Sequence, residues 1–237
     1  MGEIRRYLDE REAARTRGTE RGPAARLLRR VSTFELRQSG KIYATKALAP
    51  LERRRARQLG QARPLRLHLG SGGHELPGWV NVDLVGMGSD LRWDLTGKLP
   101  FPDGSADAVF LEHVLEHFPL ETVLGMLAEC RRVLAPGGIL RAGVPDFGRY
   151  AESYAGDRVF LEDRRPGRPT PMLALVEVVY SHGHRSGWDA ETLELALAES
   201  GLVDVRRRAF GDTDLPESPD NPMREAESVY AEGRAPD

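Results

Sequence analysis

Two groups of residues in this 237-residue chain have types and spacings that could do chemistry. The first is Gly70-Ser71-Gly72-Gly73, followed by Asp83. Glycines let a backbone come close to a ligand and take up positive φ, and a carboxylate at the tip of the next strand accepts hydrogen bonds from a ribose diol. The pairing therefore reads as a nucleoside-binding site. It is not the dinucleotide fingerprint, which counted from Gly70 would need glycine in place of Glu75. Nor is it a Walker loop, since no Gly-Lys-Ser/Thr follows Gly73. The second group is ionisable: Glu112, His113, Glu116 and His117 in one run, then Asp146, His182 and His184. Histidine exchanges protons near neutral pH, which suits a base that removes a proton as a bond forms. His113 and His117 also stand at metal-ligand spacing, but the zinc-protease pattern H-E-x-x-H fails at Val114, and no metal site is expected there.

These residues need elements to hold them. Leu65, Leu67 and Leu69 alternate with Arg66 and His68, so the glycine turn follows a short strand; Val80-Asn81-Val82 is a second strand ending on Asp83. Asp90 to Trp93 makes a third, and Ala108 to Leu111 is an apolar run suited to a buried parallel strand. Glu112 to His117 then reads as the start of a helix, with Glu112 and Glu116 on one face and His113 and His117 on another. A helix from Leu120 to about Leu134 stops before Pro136-Gly137-Gly138, and Ile139 to Val144 is a fifth strand closing on Asp146. Asp146 could touch a substrate or cap the helix that begins near Phe147. From 148 to 187 a mobile insertion is expected, with a helix over Met172 to Tyr180. Ala190 to Ser200 is a helix capped by Gly201, and Leu202 to Phe210 with Ser228 to Glu232 form a final antiparallel hairpin.

Composition limits the classes open to the chain. A single cysteine, Cys130, excludes a disulfide framework and a zinc thiolate cluster and fits a reducing compartment. No apolar run reaches the roughly 18 residues of a membrane span, so a cytoplasmic location is expected. The net charge of −2 hides an asymmetry: residues 1–63 hold 17 Lys and Arg against 7 Asp and Glu. This basic arm is expected to form two or three short helices, frayed from Met1 to about Gly22, with helical spacing at Ala25, Leu28 and Val31. It serves either an anionic partner such as nucleic acid, or packing on the acidic remainder, a lid or a dimer contact; because acidic residues are interspersed and no aromatic platform for bases accompanies the arginines, the packing uses are favoured.

The run LRLHLGSGGHELPGWVNVDL, the run SDLRWDLTGKLPFPDGSADAVFLEHVLEHF and RRVLAPGGILRAGVPD together resemble class I S-adenosylmethionine-dependent methyltransferases, in the small-enzyme branch of sugar and natural-product O-methyltransferases. The resemblance covers about Leu65 to Glu232 and implies an α/β, doubly wound, seven-stranded mixed sheet with an antiparallel last strand, with residues 1–63 as a helical extension. It places Gly70, Ser71 and Gly72 against the cofactor, Asp83 on its ribose, Asp94 and Leu95 at its adenine, and Glu112 and His113 beside it, one histidine lining the methionine end. His184, followed by Arg185, Trp188 and Asp189, is then the leading catalytic base, with His182 in reserve; a divalent cation between the two is the alternative. His68 stands where many members carry an acid, and His74 replaces a glycine. The implied reaction is methyl transfer to a hydroxyl of a small acceptor, by analogy a saccharide or glycosylated metabolite. An N- or C-methyltransferase of a natural product, or a nucleic-acid-binding module with a cofactor-sensing domain, are the other readings.

Overall fold

The computed structural model describes residues 2–17, 34–84, 88–180 and 183–237. Its centre is a seven-stranded sheet in the order β3-β2-β1-β4-β5-β7-β6. The strands are β1 (Arg66–Leu69), β2 (Val80–Asp83), β3 (Leu91–Arg92), β4 (Ala106–Glu112), β5 (Leu134–Pro145), β6 (Val203–Arg208) and β7 (Ser228–Arg234). β1 to β5 run parallel, and β7 pairs antiparallel with both β5 and β6. The mixed sheet with an antiparallel last strand is thus as the sequence implies. Leu67, Leu69, Val109 and Leu111 are fully or almost fully buried, as a sheet covered on both faces requires.

The chain turns from β3 back across the sheet to β4, so strand order reverses between β1 and β4. In an open α/β sheet the loops leaving the carboxyl ends on either side of that reversal part, and the crevice between them takes ligands. The described members of both groups of chemically capable residues lie along this edge.

Helices complete the layers. In the arm, α1 (Glu3–Arg17) and α2 (Phe34–Leu59) are both helical, α1 where the sequence predicts a frayed start; Arg5 and Asp9, and Arg6 and Glu10, stand at the spacing that supports an isolated helix. The spaced residues Ala25, Leu28 and Val31 lie outside the described residues. α2 covers the sheet's edge: Ala56 is buried, the Arg92 amide donates to Glu52 Oε2 at 3.2 Å, and the Arg53 guanidinium lies 5.8 Å from the Trp93 ring. A covered edge strand cannot pair with another chain.

α3 (Leu120–Val133) buries Val123, Met126, Leu127, Cys130 and Val133 on one face. Burial pushes the Cys130 thiol up to about 12, which leaves it a small packing residue. Pro136-Gly137-Gly138 falls inside the long β5, where the register with β4 shifts, rather than ahead of the strand. The 148–187 region is three helices, α4 (Phe147–Ala155), α5 (Val159–Arg164) and α6 (Pro171–Tyr180), gathered on a small core of Tyr150, Leu161, Ala174 and Val178. α7 (Ala190–Glu199) begins on Asp189, whose side chain accepts from the Thr192 amide at 2.8 Å.

Candidate functional site

The glycine loop folds over the end of β2. The Gly70 and Ser71 amides donate to the Val82 carbonyl at 2.7 and 3.2 Å, and the Gly72 amide donates to Asp83 Oδ2 at 3.0 Å. Gly70 has φ +75°, and a Cβ there would lie 2.3 Å from Val114 Cγ2, so no other residue fits where the loop meets the turn after β4. Gly72 differs: its φ is +56° and nothing lies within 4 Å of where its Cβ would be. That open face, the buried Ser71 hydroxyl with no hydrogen-bond partner and the Asp83 carboxylate are what a nucleoside cofactor would use. Just beyond β3, Asp94 accepts from the Thr96 amide and hydroxyl at 3.1 and 2.7 Å, and Leu95 is buried. The Trp93 amide donates to the Asp83 carbonyl at 3.0 Å, which joins the ends of β2 and β3.

His68, in the place of the family's acid, faces inward. Its Nδ1 lies 3.1 Å from Asn81 Oδ1, and its ring packs 5.1 Å from that of Phe110. Burial pushes its pKa down to about 4, partly offset by the Asn81 contact, so it is a neutral core residue. Asn81 in turn binds the Leu76 amide, the Trp79 carbonyl and Asp90, which shapes the short link that replaces a full first helix.

Beyond β4 the chain departs from the sequence expectation. Glu112 ends the strand, His113 turns the backbone at φ +53°, and only Leu115–His117 forms a 3-10 turn. The one-faced pairing of Glu112 with Glu116 and of His113 with His117 therefore does not occur. The left-handed backbone at His113 interrupts a helical start, and the Val114 that follows packs closely over Gly70. Glu112 accepts from the Tyr230 hydroxyl at 2.8 Å and the Asn221 amide at 3.1 Å; burial raises its carboxyl pKa, which those bonds partly offset. Gly143 makes the Tyr230 contact possible, because a Cβ there would lie 2.5 Å from the tyrosine ring. His113 Nε2 is 2.8 Å from Ser228 Oγ, and its Nδ1 is 3.5 Å from Glu116.

Glu116 is 1% exposed and neither carboxylate oxygen has a hydrogen-bond partner. Burial pushes its pKa up to about 8. His184 stands beside it, Nε2 to Glu116 Oε1 at 3.9 Å, because the amides of Arg185 and Ser186 donate to the Glu116 carbonyl at 2.7 and 3.3 Å and dock the 183–188 loop on the 3-10 turn. The His184 Nδ1 donates to the Val178 carbonyl at 2.6 Å; a carbonyl only accepts, so the neutral ring carries its lone pair on Nε2. Glu116 and His184 line a small cavity with Pro145, Phe147, Val178 and Trp188. Asp146 caps α4, its side chain accepting from the Arg149 amide at 3.0 Å. His182 lies outside the described residues. Sequence reasoning singled out Glu112, His113, Glu116, Asp146 and His184; it missed Tyr230, Asn221, Ser228 and Val178, whose contacts with them join residues distant in the chain or depend on how a loop docks.

Residues 84–142 match the model of a methyltransferase domain family, Methyltransf_11. The strand order, the reversed β7 and this match fall on one sheet. The fold is that of the class I methyltransferases. S-adenosylmethionine is the methyl donor of such domains, and the open Gly72 face and the Ser71 hydroxyl suit it. No curated protein matches the sequence. Among solved structures, a chain from the Haloferax volcanii complex of the Trm112 methyltransferase activator with a methyltransferase is 16% identical, over 84% of this chain and 96% of that one, with TM-score 0.48. A SAM-dependent methyltransferase from Archaeoglobus fulgidus is 14% identical over 78% and 93%, TM-score 0.47. One from Thermotoga maritima is 16% identical over 84% and 96%, TM-score 0.47. The fold assignment rests on the strand order and not on these superpositions.

Proposed function

We propose that the protein transfers the methyl group of S-adenosylmethionine to a hydroxyl of a small acceptor, a saccharide or glycosylated metabolite. Gly70 to Gly72 bear on the cofactor, Asp83 takes the ribose diol, and Asp94 with Leu95 takes the adenine. Glu112 and His113, at the end of β4, border the methionine end, Glu112 by holding the wall through Tyr230 and Asn221. Residues 64–237 form the methyltransferase domain. Residues 1–63 are an extension whose α2 borders the ribose site, where Thr45 Oγ1 donates to the Leu84 carbonyl at 3.0 Å.

The observation that carries the reading is His184, with its Nδ1 held by Val178 and its Nε2 lone pair turned into the cavity at the β4–β5 edge. An alcohol attacks a sulfonium methyl poorly while it keeps its proton. His184 Nε2 takes that proton as the oxygen–carbon bond forms and the carbon–sulfur bond breaks, giving a methyl ether and S-adenosylhomocysteine. Glu116 Oε1 lies 3.9 Å away, and an imidazolium there favours the carboxylate form of an acid whose pKa burial raises to about 8. A saccharide suits the cleft along α4 and α5, which Arg149, Glu152, Asp163 and Arg164 line with donors and acceptors together with Phe160.

The test is methyl transfer from labelled S-adenosylmethionine to a panel of monosaccharides and glycosides. His184→Ala is expected to lower kcat by about 10²- to 10⁴-fold while cofactor affinity stays unchanged. Turnover unaffected by the substitution contradicts the base assignment and favours a nitrogen acceptor, which needs no such base when neutral.

A further inference from the structure

Glu116, His117 and His184 form a cluster that base catalysis does not account for. One carboxylate oxygen and one ring nitrogen from each histidine all lie within 4.8 Å of one another. From these residues we propose that the cluster is a binding site for a divalent transition ion of the zinc class.

Three independent features support it. Glu116 is 1% exposed and, among the described residues, neither oxygen is hydrogen-bonded; its Oε1 lies 3.5 Å from His113 Nδ1 and 3.9 Å from His184 Nε2, too far to satisfy it, and a buried acid in that state is costly unless something else engages it. The His184 ring is oriented as metal-bound histidines are, its Nδ1 donating to a backbone carbonyl, which makes Nε2 the nitrogen able to ligate. His117 is exposed and its ring centre lies 5.0 Å from that of His184, so it stands at the mouth and gives an ion a way in. Two imidazoles and one carboxylate select a zinc-class ion over magnesium or calcium, which prefer all-oxygen shells, and three protein ligands leave a position for water. Ligands about 2.0 Å from zinc in a tetrahedron are roughly 3.3 Å apart, so the cluster contracts on loading. The His117 side chain on the short 3-10 turn can supply that movement.

Methyl transfer by the base mechanism proposed above uses no metal, and the ion claims the same Nε2 lone pair that the base uses. Loading therefore withholds His184 from proton transfer. This consequence rests on the methyl-transfer reading, whereas the ion site does not.

The experiment uses the full chain after chelator treatment, titrated with Co²⁺ and followed by its visible d–d absorption, with Zn²⁺ as competitor. The expected result is one equivalent of Co²⁺ with the intense bands of a four- or five-coordinate site, displaced by Zn²⁺. Glu116→Gln and His184→Ala should each weaken uptake by about 100-fold or more, while His74→Ala, outside the cluster, leaves it unchanged. Circular dichroism confirms that the near-isosteric Glu116→Gln variant is folded. No stoichiometric uptake by the wild type, or uptake unchanged in a folded Glu116→Gln variant, overturns the proposal. Calorimetry with S-adenosylmethionine on the same samples separates the two readings: Co²⁺ uptake without cofactor binding upholds the ion site and removes the methyl-transfer reading, and the converse result does the reverse.

Discussion

At the β5–β7 end of the sheet Arg141 is enclosed by acids. Its Nε donates to Asp220 Oδ1 at 2.6 Å and its Nη1 to Glu232 Oε1 at 3.0 Å, while backbone carbonyls of Asp212 and Ala209 take further donors at 2.8 and 3.1 Å. At the β4–β5 edge Glu116 is buried as deeply, yet its carboxylate accepts no hydrogen bond. The sheet thus buries one charge cluster that is complete and one that is not. A complete cluster fixes the fold, here by tying β5 to the 209–220 loop and β7. An incomplete one at a ligand-binding edge is poised for something beyond the chain's own atoms.

The sharpest way to break this comparison is to remove Arg141. Arg141→Leu leaves Asp220 and Glu232 buried without their cation, and a loss of about 3–5 kcal/mol of stability is expected, read as a fall in the urea midpoint. A loss below about 1 kcal/mol would show that the cluster holds little together.

His68 offers a case between the two, buried and partnered but uncharged. Its native pKa of about 4 lies below the ordinary 6.5, so the folded state excludes a proton that the unfolded chain binds. Its contribution is present above pH 6.5 and is lost as the pH falls from there through about 4, amounting to roughly 3 kcal/mol. His68→Gln should lose this component of acid sensitivity, measured from urea midpoints at neutral and at acid pH. The same acid loss in variant and wild type would exclude His68 as the source.

The smallest effect is expected at Glu116. Glu116→Gln removes an acid that has no hydrogen bond to lose, so stability at neutral pH should stay within about 1 kcal/mol of wild type. A loss as large as that of Arg141→Leu would mean that Glu116 is as integral to the fold as the Arg141 cluster, and the contrast would fail.

The two halves of the edge were unequally legible in the sequence. The cofactor half is built from local signals: Gly70 to Gly72 directly follow β1, and Asp83 ends the next strand, so alternation and glycine spacing were enough to bring them together. Asp94 and Leu95 followed from resemblance; they come directly after Trp93, whose amide donates to the Asp83 carbonyl. The acceptor half is assembled from residues far apart in the chain. Nothing in EHVLEHF reveals that His113 takes a left-handed backbone and Val114 packs on Gly70, so that the run is a strand end and a 3-10 turn instead of a helix. His184 stood out by type and neighbours, but its fixed tautomer and its approach to Glu116 depend on how the 183–188 loop docks. Arg141 reads as an oddity within an apolar strand, and only its partners in the 209–220 loop and on β7 explain it.

The central claim is that the edge around Gly72 and Asp83 binds S-adenosylmethionine, and calorimetric titration of the purified chain with S-adenosylmethionine and S-adenosylhomocysteine, with NAD as control, tests it most directly. The expected result is one site of about micromolar affinity for both sulfur nucleosides and none for NAD, weakened about tenfold or more in Asp83→Ala. Absence of heat with either nucleoside, or equal affinity in wild type and Asp83→Ala, would contradict it.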